Sequence, residues 1–197
     1  MRKLTDTFVL RGRAWVFGDQ LDADWQICSL ETMAQLKSPG GGFLTGKLGK
    51  VCLENVDPEF SRCVQPGDFI VAGENMGYSA SCLDCEMEDP HAMGAASLAI
   101  KEAGVGAVLC ESSNANFMMT SLNLGLPVVE CRGLRDKVHQ GDHLQVNLAA
   151  GTIVNLTTGD EMRFPLYPES LLERIAVGGL YPHLKHKVAN EMSGEEQ

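Results

Sequence analysis

An alternation of short apolar runs and helical segments between residues 68 and 130 constrains the fold of this chain more than any other feature. Two of the runs are almost continuously apolar, which is typical of strands buried on both faces of a sheet. Glycines at 104 and 125 follow the two helical segments and act as helix stops. The segments alternate as strand, helix, strand, helix and strand over residues 68–72, 92–103, 105–110, 114–124 and 127–130. Such strands pair in parallel through right-handed crossovers, so the pattern predicts an α/β fold.

The remaining segments predict elements that complete a partly parallel sheet with crossover helices and an appended β-hairpin. They are a first strand at residues 8–17, a short helix after Cys28, a glycine-rich loop up to residue 50, a short helix at 57–64, hairpin strands at 143–148 and 152–156, and a closing helix at 168–177. Long loops on rigid scaffolds often carry function. The chain is therefore predicted to form one domain over residues 1–185, followed by a polar, frayed tail at 186–197.

The charge of the chain excludes some classes of partner. Its 26 acidic residues outnumber 16 Lys and Arg, which gives a formal net charge of −10. A nucleic-acid partner is not expected, because no excess of cations is present to neutralise phosphates. No apolar run approaches the roughly 20 residues that a membrane span needs, so a membrane partner is not expected either.

The amino terminus and the cysteines indicate the compartment. Arg11 and Arg13 interrupt the only stretch that could serve as an apolar signal region. The seven cysteines are an odd number and are dispersed along the chain, which favours a reducing environment over a disulfide framework. The sequence therefore predicts a cytoplasmic protein.

The segment from residue 78 to residue 94 carries the most unusual chemistry. It is strongly acidic, and Cys82 and Cys85 form a C-x-x-C pair six residues before His91. This spacing could supply three ligands of a zinc site, but a second cysteine pair is missing and a fourth ligand would have to come from elsewhere. Chemically silent cysteines and a dithiol switch are the alternatives. No metal is assigned to this chain, and these three residues are retained as the candidate ligands should one bind.

Several short motifs occur in a fixed order that resembles the small subunit of 3-isopropylmalate dehydratase, the detached swivelling domain of the aconitase superfamily. A Gly-Asp-x-x-Asp-x-Asp motif begins at Gly18, and a loop at residues 73–77 matches the family's Gly-Glu/Lys-Asn-Phe-Gly. Later landmarks are Lys101 with Gly104, Glu111 with Ser112, Asn123 with residues 125–127, and the hairpin end at residues 153–159. The resemblance covers about residues 13–180, and it rests on the joint order and spacing of these motifs.

The resemblance implies a subunit that closes over a large, aconitase-type subunit, which carries a [4Fe-4S] cluster. Together the two subunits would dehydrate and rehydrate a small hydroxy acid with two or three carboxyl groups, while this chain itself holds no cofactor. In the family, the loop after Asn-Phe-Gly continues Cys-Gly-Ser-Ser-Arg-Glu. A serine of this loop takes the substrate proton, and the arginine binds a substrate carboxylate. The isolated chain may form homo-oligomers only as an alternative to this assembly.

This chain departs from the family at that loop. Seventeen residues, 78–94, separate Gly77 from the following helix, and the loop arginine is absent. The family also has arginines in a Ser-Phe-Ala-Arg-Ile-Phe stretch, where this chain carries Ala115 and Met119. The usual substrate is therefore questionable, because a buried dianion without cationic partners is costly.

Candidate site residues follow from the resemblance and from the remaining cations. When Gly77 is used as the anchor, Ser81 falls on the second family serine and is the first candidate for the catalytic proton acceptor, with Ser79 as the second. Both serines could instead cap turns. Asp22 and Asp24 are predicted to be structural anchors at the site entrance. The candidates for substrate binding are Asn75, Gly77, His91 and Lys47.

Three hypotheses about function remain open at this stage. The leading one is a catalytically divergent small subunit of a heteromeric hydro-lyase. The second is a ligand-binding or regulatory module on the same swivel fold that has lost catalysis. The third is a free-standing metal-binding protein that uses its cysteine and histidine side chains.

Overall fold

A computed structural model describes residues 8–36, 38, 46–78 and 94–193. These residues form one seven-stranded mixed sheet with helices on both faces. The strands are β1 (Val9–Val16), β2 (Phe69–Ala72), β3 (Ala107–Cys110), β4 (Val128–Glu130), β5 (His143–Asn147), β6 (Thr152–Asn155) and β7 (Glu161–Arg163). The α-helices are α1 (Leu30–Gln35), α2 (Phe60–Cys63), α3 (Ala95–Glu102), α4 (Ala115–Asn123), α5 (Glu169–Ala176) and α6 (Leu180–Ser193).

The order of the strands in the sheet is β4-β3-β2-β1-β5-β6-β7. β1 to β4 are parallel, and Val71 of β2 lies between Val16 of β1 and Leu109 of β3. β5, β6 and β7 continue the sheet from β1 in antiparallel pairing. The predicted α/β fold with an appended hairpin is therefore confirmed, and β1 belongs to its parallel half.

Side-chain alternation along the central strands builds two separate cores. Ile70, Val108 and Val128 face a core that also contains Ile100 of α3 and Phe117 of α4. Their neighbours Phe69, Val71, Ala107, Leu109 and Val129 face a second core with Leu134 and Leu172. Because every residue of β2 and β3 is buried, these strands read as continuous apolar runs in the sequence.

The carboxyl-terminal part of the chain differs from the sequence prediction. Helix α6 continues across the predicted boundary between residues 185 and 186, so residues 186–193 are helical and not a separate tail. The reason is local: Gly178 and Gly179 have positive φ angles of 91° and 124°, which let the chain turn sharply between α5 and α6. Residues 194–197 lie outside the described part of the chain.

Two smaller differences also have local causes. β7 was not predicted, because only its central residue, Met162, is buried and the flanking Glu161 and Arg163 hide the strand in a polar sequence. The helix predicted from residue 57 begins at Phe60, since Asp57 first forms a turn in which its side chain accepts a hydrogen bond from the Glu59 amide, with a donor–acceptor distance of 3.0 Å. Among the described residues, no helix is both long enough and apolar enough to cross a membrane.

Candidate functional site

The carboxyl ends of β1 to β4 meet at one edge of the sheet, which is where ligands of open α/β sheets bind. The segments that follow these strands form the edge and are called the site edge below: residues 18–22, 73–78, 111–114 and 131–135. This edge contains the Gly-Asp-x-x-Asp-x-Asp motif, the Asn75–Gly77 loop and the Glu111-Ser112 pair. Motifs far apart in the sequence therefore come together in space.

Backbone hydrogen bonds fix the segment after β2. The amide of Met76 donates to the Ser112 carbonyl at 2.9 Å, and the Asn75 amide donates to the Ser112 hydroxyl at 2.9 Å. The Gly77 amide donates to the Leu21 carbonyl at 3.0 Å, and the Asn114 amide donates back to the Met76 carbonyl at 2.8 Å. Asn75 and Gly77, two predicted binding residues, thus lie on a braced platform between the segments after β1 and β3.

Gly77 cannot be replaced by a larger residue without a shift of its neighbours. Its φ is +75°, in the left-handed region, and a Cβ built on it would lie 2.2 Å from the ring of Phe117. Phe117 is buried in the core under α4. The family's glycine at this position therefore has a steric reason: the backbone lies directly on an aromatic ring.

Asp22 has a structural role at the entrance of the site. Its carboxylate accepts hydrogen bonds from the amides of Asp24 (2.8 Å) and Trp25 (2.9 Å), which begins a π-helical turn at Ala23–Ile27. The amide of Ala23 donates to the Tyr78 carbonyl at 2.8 Å. This geometry is compatible with the prediction that Asp22 anchors the entrance, and it joins the entrance to the first residue of the long loop.

Asp24 is the titratable group of the entrance with a strongly shifted pKa. Burial, together with the neighbouring charge of Asp22, raises its pKa from 3.8 to about 6. A carboxyl group shifted in this direction is close to titrating at neutral pH, which is a property of residues at functional sites.

Replacement of Asp24 by asparagine is expected to stabilise the fold above pH 6. The folded-state pKa is raised, so the carboxyl favours folding at low pH and loses this contribution as the pH rises through about 6. The gain in unfolding free energy of Asp24→Asn over the unsubstituted chain should be near zero below pH 4 and about 1–2 kcal/mol at pH 7.5. Denaturant unfolding at several pH values measures it. Asp136→Asn, at an exposed position, is the control, and a pH-independent difference for Asp24→Asn would contradict the account.

An ion pair that the sequence interpretation missed crosses the site edge. Arg135 follows β4, and its Nη1 donates to Asp19 Oδ1 at 3.0 Å, while the same oxygen accepts from the Glu74 amide at 2.9 Å. The Glu111 carboxylate accepts from the amides of Gly133 (2.7 Å) and Arg135 (3.0 Å) and so fixes the segment that carries the arginine. The signal was the position of Arg135 shortly after a parallel strand.

Lys47 lies away from the platform. The amides of Gly46 and Leu48, on either side of it, donate to the Glu102 carboxylate at 2.8 and 3.0 Å. Glu102 is the last residue of α3, whose eight residues span about 12 Å from the end nearest the site edge. The structure therefore brings Asn75, Gly77 and the entrance aspartates together but leaves Lys47 at the opposite end of α3.

The remaining candidates, Ser79, Ser81, Cys82, Cys85 and His91, lie outside the described residues. Within the described part of the chain, no group of three or more His, Cys, Asp or Glu side chains is placed to hold a metal ion. Burial raises the pKa of the thiols of Cys28, Cys52, Cys110 and Cys131. An iron–sulfur cluster is held by thiolates, so these buried thiols do not fit one.

A cavity of about 560 Å³ lies on another part of the surface. It is lined by Lys50, Glu54, Asn55, Pro58, Ser61 and Arg62, which all precede β2 in the chain. The site edge is therefore a surface built by four loops and is distinct from this cavity.

Known proteins with similar sequences share one description. The chain is 36% identical over 181 residues to the isopropylmalate/citramalate isomerase small subunit of Methanocaldococcus jannaschii, a match that covers 92% of this chain and 96% of that protein. It is 35% identical to the 3-isopropylmalate dehydratase small subunit 1 of Methanopyrus kandleri, over 94% of this chain and 98% of the relative. No protein-family model matches the chain.

A solved structure has the same fold. The crystal structure of 3-isopropylmalate dehydratase from Methanocaldococcus jannaschii superposes with a TM-score of 0.75 at 28% sequence identity. The match covers 94% of this chain and 99% of that one. The similarity therefore extends over the sheet, the helices on both faces and the four segments of the site edge.

Proposed function

The chain belongs to the family of 3-isopropylmalate dehydratase small subunits, and we propose that it acts as the small subunit of a heteromeric hydro-lyase on a small hydroxy acid. The observation that carries this proposal is the match over more than nine-tenths of the chain to relatives that are themselves named small subunits. The braced platform of Asn75 and Gly77 at the site edge gives the match a physical counterpart.

The partner in this proposal is an aconitase-type large subunit that carries the [4Fe-4S] cluster. The described thiols of this chain do not fit a cluster, which favours a location on the partner. When bound there, the cluster supplies Lewis-acid chemistry at the substrate hydroxyl. This chain would close over the partner with its site edge and complete the substrate site, in the reducing environment of the cytoplasm.

The chain's own contribution is to hold the substrate and move a proton. Ser81, three residues after the described Tyr78, is proposed to accept the proton from the substrate carbon, with Ser79 as the second candidate. The Tyr78 carbonyl, fixed by the Ala23 amide, sets the direction in which the loop leaves the platform. Asn75 and Gly77 would bind the substrate beside this loop, and His91 near the loop's other end is proposed to approach a carboxylate.

The proposed substrate is a hydroxy acid smaller than 3-isopropylmalate. The loop arginine of the family is absent from residues 78–94, and Met119 of α4 stands where the family has an arginine. A lost charge-assisted partner costs on the order of 1.5–3 kcal/mol, which is tenfold or more in rate. One relative is named for both isopropylmalate and citramalate, so a family member can be named for the smaller acid.

A substrate panel tests this proposal. The assembled two-subunit enzyme is assayed with 3-isopropylmalate, citramalate, citrate and malate, and the kcat/KM values are compared. We expect 3-isopropylmalate to be at least tenfold poorer than the best of the smaller acids. Ordinary turnover of 3-isopropylmalate, unaffected by Ser81→Ala or His91→Ala, would contradict the account of the loop. Binding of an acid without turnover would instead favour the non-catalytic module.

A further inference from the structure

The site edge contains an arginine that the family motifs do not account for. Arg135 lies in the segment after β4, beside the segments that follow β1 and β2. Its side chain is 41% exposed, and that of its partner Asp19 is 58% exposed. The cation is thus at the surface of the site edge, where a bound molecule could reach it.

The guanidinium has donors to spare. It carries five N–H donors in a planar fork. Among the described residues, one contact uses them, the hydrogen bond from Nη1 to Asp19 Oδ1 at 3.0 Å. The rest of the fork can therefore bind a carboxylate with two parallel hydrogen bonds, the geometry for which arginine is suited.

The position of Arg135 is held by three independent contacts. The Glu111 carboxylate accepts from its backbone amide, and Asp19 accepts from its side chain and from the Glu74 amide. Gly73 makes room for this arrangement, because a Cβ on Gly73 would lie 1.7 Å from Asp19 Oδ1 and 3.0 Å from Arg135 Nη1. A cation fixed in this way loses little conformational freedom when it binds an anion.

We propose that Arg135 binds a carboxylate of the substrate and takes over the role of the arginine that the loop lacks. This inference rests on the proposed function, since it places a hydroxy acid at the site edge. Asp19 positions the guanidinium and Glu111 positions the backbone beneath it. The cation enters from the segment after β4 instead of from the loop after β2.

The alternative is an ion pair with no role beyond structure. A pair this exposed contributes little to stability, typically between 0 and about 1 kcal/mol. Removal of the side chain should therefore leave the fold and the assembly intact, so that its effect on binding can be measured separately.

Steady-state kinetics of the assembled two-subunit enzyme test the inference, with citramalate as the probe. We expect Arg135→Gln to raise KM by roughly 10- to 100-fold while kcat changes by less than about threefold, and Arg135→Lys to give an intermediate KM. Arg62→Gln is the matched control, because Arg62 forms a similar exposed pair with Glu59 at 3.1 Å outside the site edge. It should leave KM unchanged.

A binding measurement separates the possible failures. Calorimetric titration of citramalate into the assembled complex should show weaker binding for Arg135→Gln by the same factor as KM. Normal binding and an unchanged KM in this variant would overturn the inference and leave the proposed function standing. A complex without substitutions that neither binds nor converts any of the four acids would overturn the proposed function, and the inference with it.

Discussion

Replacement of Gly77 by alanine is expected to lower the free energy of unfolding by about 2–5 kcal/mol and to abolish most of the activity of the assembled enzyme. The left-handed backbone conformation costs an alanine about 1–2 kcal/mol. The added Cβ would lie 2.2 Å from the Phe117 ring and 2.5 Å from its own Cβ, so the neighbour cannot simply rotate away. Overpacking of this kind typically costs about 1–3 kcal/mol more.

The effect should extend from stability to the site. Gly77 donates to the Leu21 carbonyl, and a shift of its backbone would move the residues that begin the catalytic loop. Thermal unfolding should show a decrease in Tm of about 5–15 °C. Gly18→Ala at the same edge is the stability control, because a Cβ there meets no atom within 4 Å. Equal Tm values for the two variants would show that the described contact with Phe117 is wrong.

Replacement of Ser81 by alanine is expected to lower kcat of the assembled enzyme by about 10²- to 10⁴-fold, the usual contribution of a residue that transfers a proton. The substitution removes the hydroxyl that is proposed to accept the substrate proton. Since alanine leaves the backbone as it is, assembly with the large subunit and the Tm should change little. Rapid-mixing kinetics with citramalate, together with gel filtration of the complex, measure both effects.

Two further serine variants complete this experiment. Ser61→Ala, which changes a residue of the separate cavity, should leave kcat unchanged. Ser79→Ala should lower kcat less than Ser81→Ala does. If the larger loss is found for Ser79→Ala, the assignment of the proton acceptor to Ser81 is wrong, and the register of the loop must be counted differently from Gly77.

The central sheet could be predicted from the sequence because burial on both faces leaves a direct trace in composition. Every residue of Phe69–Ala72 and Ala107–Cys110 is buried, so both strands are apolar without interruption. The glycines that end α3 and α4 have positive φ angles of 89° and 77°, which explains why they mark helix ends. Strand order in the parallel half followed from the handedness of the crossovers.

Contacts between distant surface residues could not be predicted in the same way. The Arg135–Asp19 pair joins residues 116 positions apart, and both side chains are exposed, so no periodicity marks either of them. Lys47 shows the opposite error. It was chosen as one of few cations in a glycine-rich loop, but the neighbouring amides bind Glu102 at the far end of α3. Local sequence contains neither pairing.

The motifs taken from the family proved informative about structure at several positions. The amino group of Lys101 donates to the carbonyls of Leu124 and Gly178, so it joins the ends of α3 and α4 to the turn before α6. Asp22 begins the π-helical turn, and Ser112 braces the platform. These residues support the site without touching a substrate, which motif matching alone does not distinguish from catalysis.

Activity of the two separately purified subunits tests the central claim most directly. The large subunit, with its cluster reconstituted under anaerobic conditions, is assayed for dehydration of citramalate while this chain is added in increasing amounts. Our account predicts no turnover by either subunit alone and a rate that rises with added chain until it saturates. Turnover by this chain alone, or a large-subunit rate that does not respond to the chain, would contradict it.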